Sequence, residues 1–140
     1  MPKILIAEDD KFLANAYRVK LTKEGFDIEI AENGIKALEI VEKSQPDLIL
    51  LDLVMPKKDG FSTLKDLKAN EKWKNIPVIV STNLSQEEDR EKIMEMGAND
   101  FIIKSELSME SLIKKINDLK IETKTEEEKE VNETSKVINI

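Results

Sequence analysis

Five short apolar runs, each followed by a segment of helical spacing, set the strongest limit on what this chain can fold into. The runs are "KILIA" at 3–7, "FDIEIA" at 26–31, "DLILLDL" at 47–53, "IPVIVS" at 76–81 and "DFIIK" at 100–104. Each is brief, β-branched and bounded by turn residues, which is the pattern of a strand. Between the runs, Leu13, Tyr17 and Leu21 recur at four, with Asp10 placed to cap that helix and Gly25 to stop it. Ile35, Leu38 and Val41 follow the turn Asn33-Gly34, and Phe61, Leu64 and Leu67 mark a third helix. Ser85 with Glu88 reads as a capping box opening a fourth helix that closes at Gly97. Ser108 caps a fifth, whose stripe is Leu112, Ile116 and Leu119, with Lys114, Lys115 and Lys120 toward the favourable end of its dipole.

Strict alternation with short links implies parallel strands joined by right-handed crossovers, with helices on both faces. The expected architecture is α/β: a doubly wound five-stranded parallel sheet in the order 2-1-3-4-5 with five helices, a three-layer sandwich whose switch point lies beside strand one. Near-continuous apolar runs at 4–7, 48–51 and 78–80 fit strands buried on both sides, whereas Asp27 and Glu29 alternating with Ile28 and Ile30 mark an edge strand with one wet face. The globular unit is expected to span 1–121. From 122 to 140 the pattern dissolves into "ETKTEEEKEVNETSKVINI", six acids against three lysines, which reads as a disordered extension, a frayed continuation of the fifth helix being the other option.

Composition removes several kinds of chemistry. The chain has no cysteine and no histidine, so disulfides, thiolates, zinc centres and Ser-His-Asp triads are excluded. A net charge of −7 disfavours direct binding to nucleic acid or an anionic membrane. The apolar stretch near the N-terminus is too short for a signal peptide, and no run approaches the roughly 20 residues that span a bilayer, so a cytoplasmic location is expected.

In open parallel sheets, ligands bind beyond the carboxyl ends of the strands. Here strand one ends in Glu8-Asp9-Asp10, strand three in Asp52, strand four in Ser81-Thr82 and strand five in Lys104. Each has an ordinary structural explanation alone: Asp10 a cap, Glu8 and Asp9 loop charges, Asp52 a turn anchor. Together they place like charges on adjacent strands, where each raises the pKa of the others unless a cation is present. Mg²⁺ meets that need: it takes oxygen ligands, uses one or two carboxylates and keeps waters, with Mn²⁺ able to substitute. With the ion and Lys104 neutralising charge, a carboxylate oxygen of Asp52 is free to act as nucleophile toward a phosphoryl group.

The motifs "ILIAEDD", "PDLILLDLVMPKKDG", "IPVIVST" and "GANDFIIK", in this order and spacing over residues 2 to about 121, resemble the receiver domain of bacterial two-component response regulators. The resemblance implies a phosphorelay in which a histidine kinase or histidine phosphotransfer protein phosphorylates Asp52. It implies direct metal ligation by Asp9, a water-mediated role for Glu8, and the backbone carbonyl of Val54 as third protein ligand. Thr82 would bind the phosphoryl group, Lys104 would pair with it, and Phe101 stands at the aromatic switch position. The output would be a changed face of helix four, strand five and helix five, for an unidentified downstream protein or for a homodimer formed on phosphorylation. Such a stand-alone receiver is no turnover enzyme: its chemistry begins and ends at Asp52.

Three departures bear on this expectation. Ser105 follows Lys104 where the family usually has proline, so the link is expected to be either trans with a shifted loop or a strained cis bond costing about 3–4 kcal/mol. Asn83 is expected to narrow the entrance, and Val54 and Leu84 put aliphatic groups where polar ones orient water in some relatives, so the phosphoryl group should be long-lived. A haloacid-dehalogenase-like hydrolase would need an acid at Val54, and a flavodoxin-like cofactor site would meet repulsion from Glu8-Asp9-Asp10. A receiver-like protein-binding module that takes no phosphate is the remaining alternative.

Overall fold

The structure, a computed structural model, describes residues 1–83, 87–106 and 108–119. The elements are β1 (Lys3–Ala7), α1 (Lys11–Lys23), β2 (Asp27–Ala31), α2 (Gly34–Ser44), β3 (Leu48–Asp52), α3 (Gly60–Ala69), β4 (Val78–Thr82), α4 (Glu87–Glu95), β5 (Asp100–Ile103) and α5 (Met109–Asp118). A single 3-10 turn, Lys104–Glu106, follows β5. All strand pairs are parallel and the sheet order is β2-β1-β3-β4-β5, as alternation predicts.

Two-residue periodicity divides the core. Leu5, Ala7, Ile49, Leu51, Val78 and Val80 pack on one side with Ala37, Val41, Leu64, Leu67 and Ile93, so α2, α3 and α4 cover that face. The alternate residues Ile4, Ile6, Leu48, Leu50, Ile79 and Ile102 pack with Tyr17 and Leu21 of α1 and Leu112 and Ile116 of α5. Every residue of β3 and β4 is buried, and each fully buried Leu or Ile contributes about 1.5–3 kcal/mol. The edge strand β2 keeps its wet face: Asp27 is exposed and Glu29 pairs with Lys3 at 3.0 Å.

Helix starts follow local chemistry. Asp10 accepts from the N–H groups of Phe12 and Leu13, and Ser108 accepts from Ser111, as their positions predict. Asn33, placed by the sequence in a turn, and Asp59 also cap helices, accepting from Lys36 and Ser62. Short polar side chains serve both purposes by the same hydrogen bond. The buried stripe of α2 is Gly34, Ala37 and Val41, while Ile35 is 46% exposed, contrary to the expected Ile35-Leu38-Val41 stripe. The cause is a close approach: the Gly34 N–H donates to Lys58 O at 3.0 Å, which turns Ile35 outward.

Gly25 and Gly97 both adopt positive φ beyond α1 and α4, the stops their positions predict. The expected cap Ser85, Leu84, Lys120 and the 122–140 tail lie outside the described residues. Among the described residues no helix is long and apolar enough to cross a membrane.

Candidate functional site

Strand parity assembles the site. Leu48 and Leu50 face α1 and α5, so Asp52, two residues on, takes the same side at the end of β3. Glu8 continues the parity of Ile4 and Ile6, its N–H donating to Ala31 O at 2.9 Å, and Lys104 continues that of Ile102. The Lys104 ammonium lies 2.6 Å from Glu8 Oε1 and 3.1 Å from Asp52 Oδ2. Glu8 is 3% exposed and Asp52 4%, so both carboxylates are buried and share one cation. Charges this deep persist only when paired or hydrogen-bonded.

Burial, more than neighbouring charge, dominates the electrostatics. The Glu8 carboxyl is pushed up to about 7, first by desolvation, with the Asp52 carboxylate adding and Lys104 opposing. Repulsion between the carboxylates, the cause expected from sequence, ranks below burial. Lys104 moves above its ordinary value: burial acts against its charge, but its contacts with Glu8 and Asp52 outweigh it. Both groups thus shift upward for different reasons: burial outweighs Lys104 at Glu8, and the two carboxylates outweigh burial at Lys104.

Glu8, Asp9 and Asp52 each present a carboxylate oxygen within 4.8 Å of the others. An all-oxygen donor set with unbalanced negative charge suits a hard divalent cation and not a soft one. Asp9 is exposed, so it offers its oxygens from the solvent side of the two buried acids. A cavity of about 340 Å³ opens over this cluster, lined by Glu8, Asp9, Asp52, Val54, Thr82 and Lys104, with Asp10 and Asn83 at its edge.

The loop after β3 is built tightly. The Val54 N–H donates to Asp52 Oδ1 at 3.2 Å, and the Gly60 N–H donates to Leu53 O at 2.9 Å. A side chain at Gly60 would strike Asp52 O at 2.2 Å and Leu53 Cα at 2.5 Å, so only glycine allows α3 to start here. Lys57 has φ 64°, with Lys58 N donating to Pro56 O, a strained three-residue turn beside the site. Val54 is 74% exposed at the rim.

Thr82 ends β4 and is 1% exposed; Phe101, on β5, is half-buried against the α4 side of the core. The Lys104–Ser105 link is trans, as is every described peptide bond, and Lys104 begins the 3-10 turn instead of extending the strand as expected. Its side chain nevertheless reaches both acids. Asp10 caps α1 and, through its N–H, donates to Glu8 Oε2 at 3.3 Å. Sequence reasoning missed Tyr17. Its phenol is buried and pushed above its ordinary value by burial, the Ser81 hydroxyl opposing and Glu8 adding. The only signal was a hydroxyl at an otherwise apolar stripe position.

The sequence model of the response regulator receiver domain matches residues 4–117. Among curated proteins, the DNA-binding dual master transcriptional regulator RpaA of Synechocystis sp. is 38% identical over 104 residues, which are 74% of this chain and 43% of that protein. The chain thus spans less than half the length of the curated relatives it matches. Because RpaA is a DNA-binding regulator, the comparison lends no support to the expectation that nucleic acid plays no part. Among solved structures, the signal receiver domain of a histidine kinase from Syntrophus aciditrophicus matches with a TM-score of 0.78 and 34% identity, covering 85% of this chain and 89% of that one. The Mn²⁺-bound form of response regulator Rcp1 matches with a TM-score of 0.73 and 29% identity, covering 89% and 98%.

Proposed function

Since the chain belongs to the response regulator receiver domain family, we propose that it is a phosphoacceptor acting in a cytoplasmic phosphorelay, taking a phosphoryl group from a histidine kinase or phosphotransfer protein onto Asp52. The observation that carries this reading is the buried Asp52 carboxylate, held at the mouth of β3 by Lys104 and the Val54 N–H beneath an open oxygen-lined cavity. Such positioning is most of what phosphoryl transfer asks of a protein. Asp9 and Asp52 would hold Mg²⁺ directly, Glu8 through water, and Val54 through its carbonyl. The ion, when bound, supplies positive charge to the phosphoryl oxygens. That response regulator Rcp1 has been seen in a Mn²⁺-bound form supports a divalent-ion site at the acidic cluster here.

Asp52 attacks phosphorus, the new O–P bond replaces the N–P bond of the donor, and the donor imidazole leaves and recovers its proton from water. Lys104 transfers its contact from the Asp52 carboxylate to the phosphoryl oxygens, and the Thr82 hydroxyl donates to one of them. Thr82 moves toward these oxygens and Phe101 turns into the space it leaves, biasing an equilibrium that already exists. The altered α4, β5 and α5 face then meets a downstream protein or a second copy of the chain. Nothing turns over beyond the protein's own aspartyl phosphate.

Incubation with acetyl phosphate, or with autophosphorylated histidine kinases, in Mg²⁺ should add the mass of one phosphoryl group to wild type and none to Asp52→Asn. With aliphatic Val54 at the rim, the added mass should persist for minutes or longer; loss within seconds would refute the long lifetime. If no donor modifies the wild type, the chain is instead a phosphate-independent binding module.

A further inference from the structure

Helix α4 carries five acids, Glu87, Glu88, Asp89, Glu91 and Glu95, and only two cations, Arg90 and Lys92. Cations on such a helix ordinarily pair with acids three or four positions away, and Glu88 with Lys92 has the favoured sense. Among the described residues neither cation forms a salt bridge. Both sit instead on aromatic rings of neighbouring elements. The Arg90 guanidinium lies 5.3 Å from the ring centroid of Phe101 in β5, and the Lys92 ammonium 4.9 Å from that of Phe61 in α3.

The two contacts differ in environment. Lys92 is exposed, whereas Arg90 is half-buried and its Nε is buried with no hydrogen-bond partner. Stacking on an aromatic face strengthens as the cation is desolvated, so the Arg90 contact is the stronger of the pair. Little else anchors the helix: among its described side chains only Ile93 is buried. The neighbouring cation Lys115 is engaged by Asp100 at 3.2 Å, and a cavity of about 220 Å³ opens between Arg90, Phe101, Ser111 and Lys115.

We infer that Arg90 is a positioning residue for Phe101: stacked on the ring, it holds Phe101 in its half-exposed place and ties α4 to β5, so the face they share rearranges only as that contact opens. This rests on the reading of Phe101 as the switch. A contact made in one of two states biases the equilibrium by its full differential strength. With Phe101 turned inward the guanidinium loses the ring face, so the contact favours the unphosphorylated arrangement and its removal favours the other.

The test uses the full chain labelled with para-fluorophenylalanine, whose four phenylalanines give four fluorine resonances, that of Phe101 assigned by Phe101→Leu. Wild type, Arg90→Ala and Arg90→Lys are titrated with beryllofluoride in Mg²⁺, with thermal midpoints confirming that each folds. Arg90→Ala should shift the Phe101 resonance before any addition and lower the half-saturating beryllofluoride concentration about three- to tenfold. Arg90→Lys should restore most of both. A wild-type response with Arg90→Ala indistinguishable from it would overturn the inference, as would a change that lysine does not reverse, which would assign the effect to lost packing. If beryllofluoride leaves every wild-type resonance unmoved, the phosphoacceptor reading fails, while the starting resonance of Arg90→Ala still decides the Arg90 contact.

Discussion

At the scale of single residues, Glu8 is where burial and charge conflict most. Its carboxyl sits at about 7 in the folded protein against an ordinary 4.5. Between those values the folded state binds more protons than the unfolded state, so stability falls as pH rises through the window and the penalty is complete above it. Two and a half pH units correspond to about 3.4 kcal/mol at most. Lys104 acts elsewhere: with its value raised, its contribution is present below the ordinary 10.5 and lost only as pH climbs through the folded value. Urea midpoints in chelator should therefore show wild type losing stability relative to Glu8→Gln between pH 4.5 and 7. Parallel profiles for the two proteins would mean that Glu8 keeps an ordinary carboxyl.

Among elements, the start of α3 is the most constrained. Asp59-Gly60 closes the motif that follows β3, and the reason for its glycine is visible only in the backbone of Asp52 and Leu53 lying against it. Gly60→Ala should destabilise the protein by about 3 kcal/mol, because the obstruction is main chain and cannot rotate away. Chemical denaturation would measure this; a loss under about 0.5 kcal/mol, the range of ordinary surface changes, would show that α3 can shift. Helix faces were legible to different degrees for a similar reason. The α1 and α5 stripes, Tyr17 with Leu21 and Leu112 with Ile116, appear as spacing predicts. That of α2 does not, because its orientation is set by the Gly34 contact with Lys58, remote in sequence.

For the whole molecule, the acidic cluster links ion binding to folding. An ion held by Glu8, Asp9 and Asp52 of the folded chain but not by the unfolded chain stabilises by about 2.7 kcal/mol at one hundred times its dissociation constant. Millimolar Mg²⁺ should raise the urea midpoint of wild type and leave Asp9→Asn nearly unchanged, whereas an equal rise in both would place the ion elsewhere. The sequence by itself determined the order of elements, the parallel sheet, its two apolar faces and the delivery of Glu8, Asp9, Asp52, Thr82 and Lys104 to one edge. Those follow from periodicity and chain order, which are local properties. Only the tertiary structure decided that Glu8 is buried, that Lys104 reaches it across 96 positions of sequence despite Ser105, and that Arg90 lies on Phe101. Distances between strand ends and the water left between them are set by how sheet and helices pack, and neither is written in the spacing of residues along a chain.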